Sequence, residues 1–98
     1  MEGKSKMLVK EIMDKIKEDG LFDVYSIEYK RQEDKDKYGN SFDTYLNDKN
    51  YAYVKVNGGT FKCKRIVEEF GRILFIYNGE QISYNPQDIH ELETNIKG

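Results

Sequence analysis

Hydrophobic and polar positions alternate most regularly over residues 51 to 84, YAYVKVNGGTFKCKRIVEEFGRILFIYNGEQISY. Side chains along a strand point to opposite faces in turn, so alternation marks strands and turn residues mark their reversals. Two β-hairpins in series follow. The first is predicted to close at Gly58-Gly59, because both positions of a primed two-residue turn need positive φ. That register sets Val56 opposite Phe61, Lys55 opposite Lys62, Val54 opposite Cys63 and Tyr53 opposite Lys64. Val54, Val56, Phe61 and Cys63 then share a core face. Tyr53, Lys55, Lys62 and Lys64 share the other, with two lysines directly across from each other, a mildly destabilising arrangement.

The second hairpin is predicted to close at Asn78-Gly79, the strongest short-range hairpin signal. It pairs Phe75 with Ile82 and Ile73 with Tyr84. Leu74 and Ile76 fall on the opposite face, against Ser83 and Gln81. The run Ile73 to Ile76 is therefore apolar on both sides, as in a strand buried on both faces. The N-terminal helix, a curled sheet or another subunit would have to cover it.

The other elements attach to these hairpins. Ser5 is a natural helix N-cap, and Leu8, Val9, Ile12, Met13 and Ile16 recur at helical spacing. Gly20 suits the position just past the helix end. A helix over 5–19 is expected, its apolar stripe packed on its own sheet. Residues 23–30 (DVYSIEYK) alternate, with Tyr25, Ile27 and Tyr29 on one face. Residues 31–41 lose all apolar signal, and 42–46 (FDTYL) can return as a strand. A long, charged, mobile hairpin or loop over 31–50 is the expectation. The tail NPQDIHELETNIKG has two readings. Asn85 and Pro86 could open a helix carrying Ile89, Leu92 and Ile96. Alternatively, Pro86 to Asp88 turn and Ile89 to Leu92 form a short closing strand, which is preferred because it covers a sheet edge.

The fold class expected is α+β: an amphipathic helix on a strongly curved antiparallel sheet or small barrel of five to six strands, with 51–92 as the β core. At 98 residues the chain makes one domain. Its net charge of −2 does not suit a general nucleic-acid binder, though a local basic face is compatible with it. Cys63 is the only cysteine, so no intramolecular disulfide forms, and it reads as a small buried hydrophobe. No signal peptide or long apolar run is visible, so a cytoplasmic location without membrane contact is expected. Lysine outnumbers arginine, and isoleucine, asparagine and tyrosine are common. That usage fits an AT-rich coding sequence of the kind found in low-GC bacteria and their phages.

From Val56-Asn57-Gly58 through Ile66 to Phe70, Ile73 to Ile76, Asn78-Gly79 and Ile89 to Leu92, the last half of the chain resembles the Sm-like family, including the bacterial Sm-like RNA chaperone. SH3-like barrels share much of this pattern. The resemblance implies a small five-stranded barrel, a homo-oligomer and nucleic-acid or nucleotide binding. By position, Tyr77, Asn78 and Gly79 match that family's ligand-facing loop. Asn85-Pro86 stands where the bacterial family carries a Lys-His pair.

Candidate chemistry is sparse. Tyr51, Tyr53, Lys55, Lys62 and Lys64 interleave rings with ammonium groups, which can stack bases and hold phosphates or meet an acidic protein surface. Asp34 to Gly39 has the acids and glycine of a calcium loop, but Tyr38 and Tyr45 stand where ligands are needed, so a solvated loop is expected. His90 is the sole histidine, and no zinc spacing or Ser/His/Asp arrangement is recognisable. No cofactor, metal or catalytic residue is expected. The leading expectation is a non-catalytic binding protein that contacts a protein partner stoichiometrically, of the phage or mobile-element inhibitor or regulator type, for example in anti-defence. Tyr38, Phe42 and Tyr45 would be anchors, together with the tyrosine-lysine face.

Overall fold

The structure, a computed structural model, describes residues 7–47 and 49–98. It is α+β, with eight strands in two antiparallel sheets and no closed barrel among the described residues. In chain order the elements are α1 (Val9–Asp19), β1 (Asp23–Ile27), α2 (Gln32–Tyr38), β2 (Ser41–Tyr45), β3 (Tyr51–Val56), β4 (Gly59–Cys63), β5 (Arg65–Glu69), β6 (Arg72–Tyr77), β7 (Glu80–Tyr84), a 3₁₀ turn (Pro86–Asp88) and β8 (Leu92–Lys97). The larger sheet runs β1-β2-β5-β6-β7 and the smaller β4-β3-β8. None of the described helices is long and apolar enough to cross a membrane.

Helix α1 begins at Val9, later than the periodicity alone suggests, and Ser5 lies outside the described residues. Leu8 takes the N-cap position with its side chain 62% exposed, so it leaves the apolar stripe. Its backbone N–H donates to Glu11 Oε2 at 3.4 Å. Ile12, Met13 and Ile16 are buried in the core, and Met7 and Val9 pack against it. Gly20 ends the helix in the left-handed conformation, φ 70°, and its N–H donates to Lys17 O.

The second hairpin has the register read from its alternation, Phe75 opposite Ile82 and Ile73 opposite Tyr84. The first closes one residue earlier than expected. Asn57 and Gly58 are the turn residues, at φ 49° and 84°, and Val54 rather than Val56 faces Phe61. The shift is two positions along the partner strand, which leaves every side chain on its expected face. Tyr53 now lies opposite Lys62 and Lys55 opposite Thr60, so the two lysines do not oppose each other. Asn57 tolerates positive φ, and its side chain makes the turn worthwhile: Nδ2 donates to Asp88 O at 2.6 Å and Oδ1 accepts from His90 N at 2.8 Å. This pins the 3₁₀ turn to the hairpin.

Lys64 is the corner between the sheets. Its N–H donates to Ile76 O at 2.8 Å and its carbonyl accepts from Leu46 N at 2.9 Å. β4 and β5 are thus one bent strand serving both sheets. The core lies between the sheets and under α1, built on Ile12, Ile16, Val54, Val56, Ile66, Ile73, Ile89 and Leu92. The tail follows the turn-and-strand reading, but its strand is Leu92–Lys97, beyond the expected 89–92. It pairs along β3 from Val56↔Leu92 to Tyr51↔Lys97.

Two upstream expectations need correction. β1 ends at Ile27, and Tyr29 leaves the strand. Residues 32–38 form a helix where a mobile hairpin or loop was expected. It has no apolar stripe and no buried residue, so hydrophobic periodicity could not reveal it. Local polar pairing supports it instead: Gln32 Nε2 donates to Asp36 Oδ1 at 2.8 Å, acids occupy the first turn and lysines the last. β1 and β2 do pair as a hairpin around this helix.

Cys63 is buried, and its Sγ donates to Arg65 O at 3.2 Å. Burial pushes the thiol up to about 11. Since the thiolate is the reactive form, a disulfide reagent at pH 8 should label native protein about a hundred-fold more slowly than urea-unfolded protein. Equal rates would mean that the β4 end is not packed as described.

Candidate functional site

The register of the larger sheet divides its side chains cleanly. Phe42, Thr44, Ile66, Glu68, Ile73 and Phe75 point toward α1 and the smaller sheet. Pairing places Tyr25, Asp43, Val67, Leu74 and Ser83 in one row across the opposite face, with Tyr45, Arg65, Ile76 and Gln81 in the next. Ile27 follows Tyr25 on the same side of β1. This outer face remains largely apolar yet accessible: Tyr25 is 57% exposed, Ile27 47% and Tyr45 49%. Leu74, at its centre, is buried, while Val67 and Ile76 are half-buried.

One strong polar contact is set into the face. Arg65 Nε and Nη2 donate to Asp43 Oδ1 and Oδ2, both at 2.9 Å, a bidentate pair bridging β5 and β2. This hydrogen bonding holds the guanidinium above its ordinary pKa. At the far end Arg72 Nε donates to Ser83 Oγ at 2.9 Å. Tyrosine and arginine are among the side chains enriched at protein-protein contact cores.

The smaller sheet carries a different outward face. Tyr51, Tyr53 and Lys55 alternate outward from β3. Their neighbours by register are Lys97, Asn95 and Glu93 on β8, and Lys62 and Thr60 on β4. Tyr51 stands edge-on to Tyr53 and to Tyr77, with centroids 5.5 and 5.9 Å apart. Lys62 Nζ lies over both the Tyr51 and Tyr77 rings, at 4.9 and 5.6 Å. The Tyr51 hydroxyl is held above its ordinary pKa, first by hydrogen bonding with Tyr53. Lys55 pairs with Glu91 at 3.5 Å, and Lys64 Nζ donates to Asn50 O at 3.2 Å. Tyr53, Lys55, Thr60 and Asn95 line a groove of about 440 Å³ that Lys15 and Asp19 of α1 also border.

The residues singled out in the sequence therefore separate. Tyr51, Tyr53, Lys62 and Tyr77 come together, with Lys55 and Lys64 at the margins. Asn78 and Gly79 form the exposed β6–β7 turn, at φ 52° and 85°. Of the expected anchors, Tyr45 alone is well exposed. Phe42 packs against the core. Tyr38 closes an aromatic trio with Tyr29 and Phe70, at 6.0 and 5.7 Å, which seats α2 on the β5–β6 turn.

Tyr29 of the trio also holds a carboxylate whose burial the sequence does not signal. Glu68 is 1% exposed on the core side of β5. Tyr29 Oη donates to both of its carboxylate oxygens, at 2.6 and 2.8 Å, and Gly71 N–H donates to Oε2 at 3.0 Å. Tyr29 Oη also accepts from Phe70 N–H at 2.8 Å. Burial outweighs these donors and raises the carboxyl pKa. The Tyr29 hydroxyl is likewise raised, first by burial and then by Glu68. This is a structural tie, binding the connection after β1 to the turn after β5.

Compared with protein families, with curated proteins and with solved structures, the chain finds no match in any of the three.

Proposed function

We propose that this protein is a non-catalytic binding protein that makes stoichiometric contact with a protein partner through the outer face of the larger sheet. The carrying observation is that face itself. Tyr25, Ile27 and Tyr45 stand about half exposed around Val67, Leu74 and Ile76, with Arg65 already held in place by Asp43. Exposed apolar surface of this composition is a liability for a chain that works alone and an asset for one that docks. The pre-formed Arg65–Asp43 pair lowers the ordering cost of docking. By analogy of type we place it among small phage or mobile-element regulators, such as inhibitors of a host defence enzyme; the chain's residue usage fits the AT-rich coding sequences of such elements. The order of β3, the bent β4–β5, β6, the Asn78-Gly79 turn, β7, the 3₁₀ turn and β8 supports reading the C-terminal part as an opened relative of the Sm-like and SH3-like meanders.

The test is affinity purification of tagged protein beside a Tyr25→Ser/Tyr45→Ser variant. The wild type should retain one polypeptide in fixed ratio, and the variant should bind it about thirty-fold more weakly, as expected for loss of a contact centre. Both substitutions are on exposed side chains, so the melting temperature should hardly move. Equal retention by the variant would remove this face from the account.

A further inference from the structure

The smaller sheet's outward face is independent of the protein-docking surface, and its chemistry is different. We infer that the Tyr51-Tyr53-Tyr77 cluster with Lys62 is a second binding site, taking a single-stranded nucleic acid across the face of β3, β4 and β8. Charge segregation is the first argument. The outward positions of the three strands, Tyr51, Tyr53, Lys55, Thr60, Lys62, Glu93, Asn95 and Lys97, hold three lysines and one glutamate. With Glu91 paired to Lys55 at its margin, the face keeps a surplus of one positive charge on a chain whose net charge is −2. Lys64 adds a fourth ammonium at the corner of the sheet.

The second argument is the rings. Tyr51 and Tyr53 are two residues apart on one strand, a spacing of about 7 Å. Tyr77 extends the cluster beyond the sheet edge. Lys62 Nζ stands above the faces of the Tyr51 and Tyr77 rings, at the level where a base would stack. A base stacking beside these rings would bring its phosphate against that charge. Stacking of this sort tolerates any base, because each has a π face, and lysines tracking the backbone supply the remaining affinity. Each base has a flat π face to set against a ring, which the carboxylates of an acidic protein surface lack. The adjoining groove beside Tyr53 and Lys55 continues toward α1, bordered by Lys15 and by the acids Asp19 and Glu93.

The experiment is fluorescence anisotropy with labelled 15-nucleotide dT and rU strands. With about three lysines on phosphates, raising salt from 50 to 200 mM should weaken binding about twenty-fold. Tyr53→Ser and Tyr51→Ser should each weaken binding about ten-fold. Lys62→Glu should weaken binding further and flatten the salt response. Lys17→Glu, the same charge change on an exposed residue of α1, should do neither. Melting curves of each variant separate lost binding from lost fold. Absence of binding at 50 mM salt would overturn the site, as would binding indifferent to Lys62→Glu. Competition by poly-glutamate with no effect of the tyrosine variants would also overturn it and reassign the face to an acidic protein.

Discussion

Replacing Tyr29 with phenylalanine should destabilise the fold by about 2–3 kcal/mol. The phenol oxygen holds both Glu68 oxygens and the Phe70 N–H. Removing it leaves a buried carboxylate with Gly71 N–H as its one remaining donor among these contacts. Hydrogen bonds to charged groups are worth about 1.5–3 kcal/mol, and an abandoned buried partner adds its own desolvation cost. For a domain of this size the loss should lower the melting temperature by about 10–20 °C. The pH profile should carry the same signature. The folded-state pKa of Glu68 lies above its ordinary 4.5, so the folded chain binds more protons in this region. The stability due to this group is fully present below about pH 4.5 and is lost as pH rises through the folded value. Glu68→Gln, which cannot ionise, should flatten that window. Urea titrations of both variants from pH 4 to 8 check the two claims together. A Tyr29→Phe loss under about 0.5 kcal/mol would show that the tie is not made.

Ile16→Ala should cost about 3 kcal/mol. Ile16 is fully buried beneath α1, and truncating a buried isoleucine removes transfer energy and leaves a cavity. The same substitution also decides what the helix is for. If α1 packs on its own core, the loss appears in the isolated chain by chemical denaturation. A helix reserved for a partner would show no change in isolation and a weaker complex.

Legibility in the sequence followed the physics of each element. The β6–β7 hairpin was readable because Asn78-Gly79 and the flanking alternation fix turn and register together. The first hairpin misled by one turn position, since Gly58-Gly59 and Asn57-Gly58 both permit positive φ; Asn57's bonds to Asp88 and His90 come from distant sequence. Helix α2 was unreadable, because its support is polar pairing and a single docking ring, Tyr38. Alternation alone assembles Tyr51, Tyr53, Lys55 and Lys62 on one face, whereas Tyr77 joins them from β6, which alternation along β3 and β4 does not show. The outer face of the larger sheet was half visible. Tyr25 and Ile27 were placed on one side, but alternation does not say which side lacks a cover. Glu68 gave no signal: a glutamate in a strand reads as solvent-facing until Tyr29, thirty-nine residues away, is seen to close over it.

The most direct test of the central claim is native mass spectrometry of the protein purified gently from its own cells. The wild type should give a mass equal to this chain plus a partner polypeptide in fixed ratio, reduced to the chain alone by Tyr25→Ser/Tyr45→Ser. A bare chain mass from the wild type, or a ring of this chain alone carrying nucleotide, would contradict it.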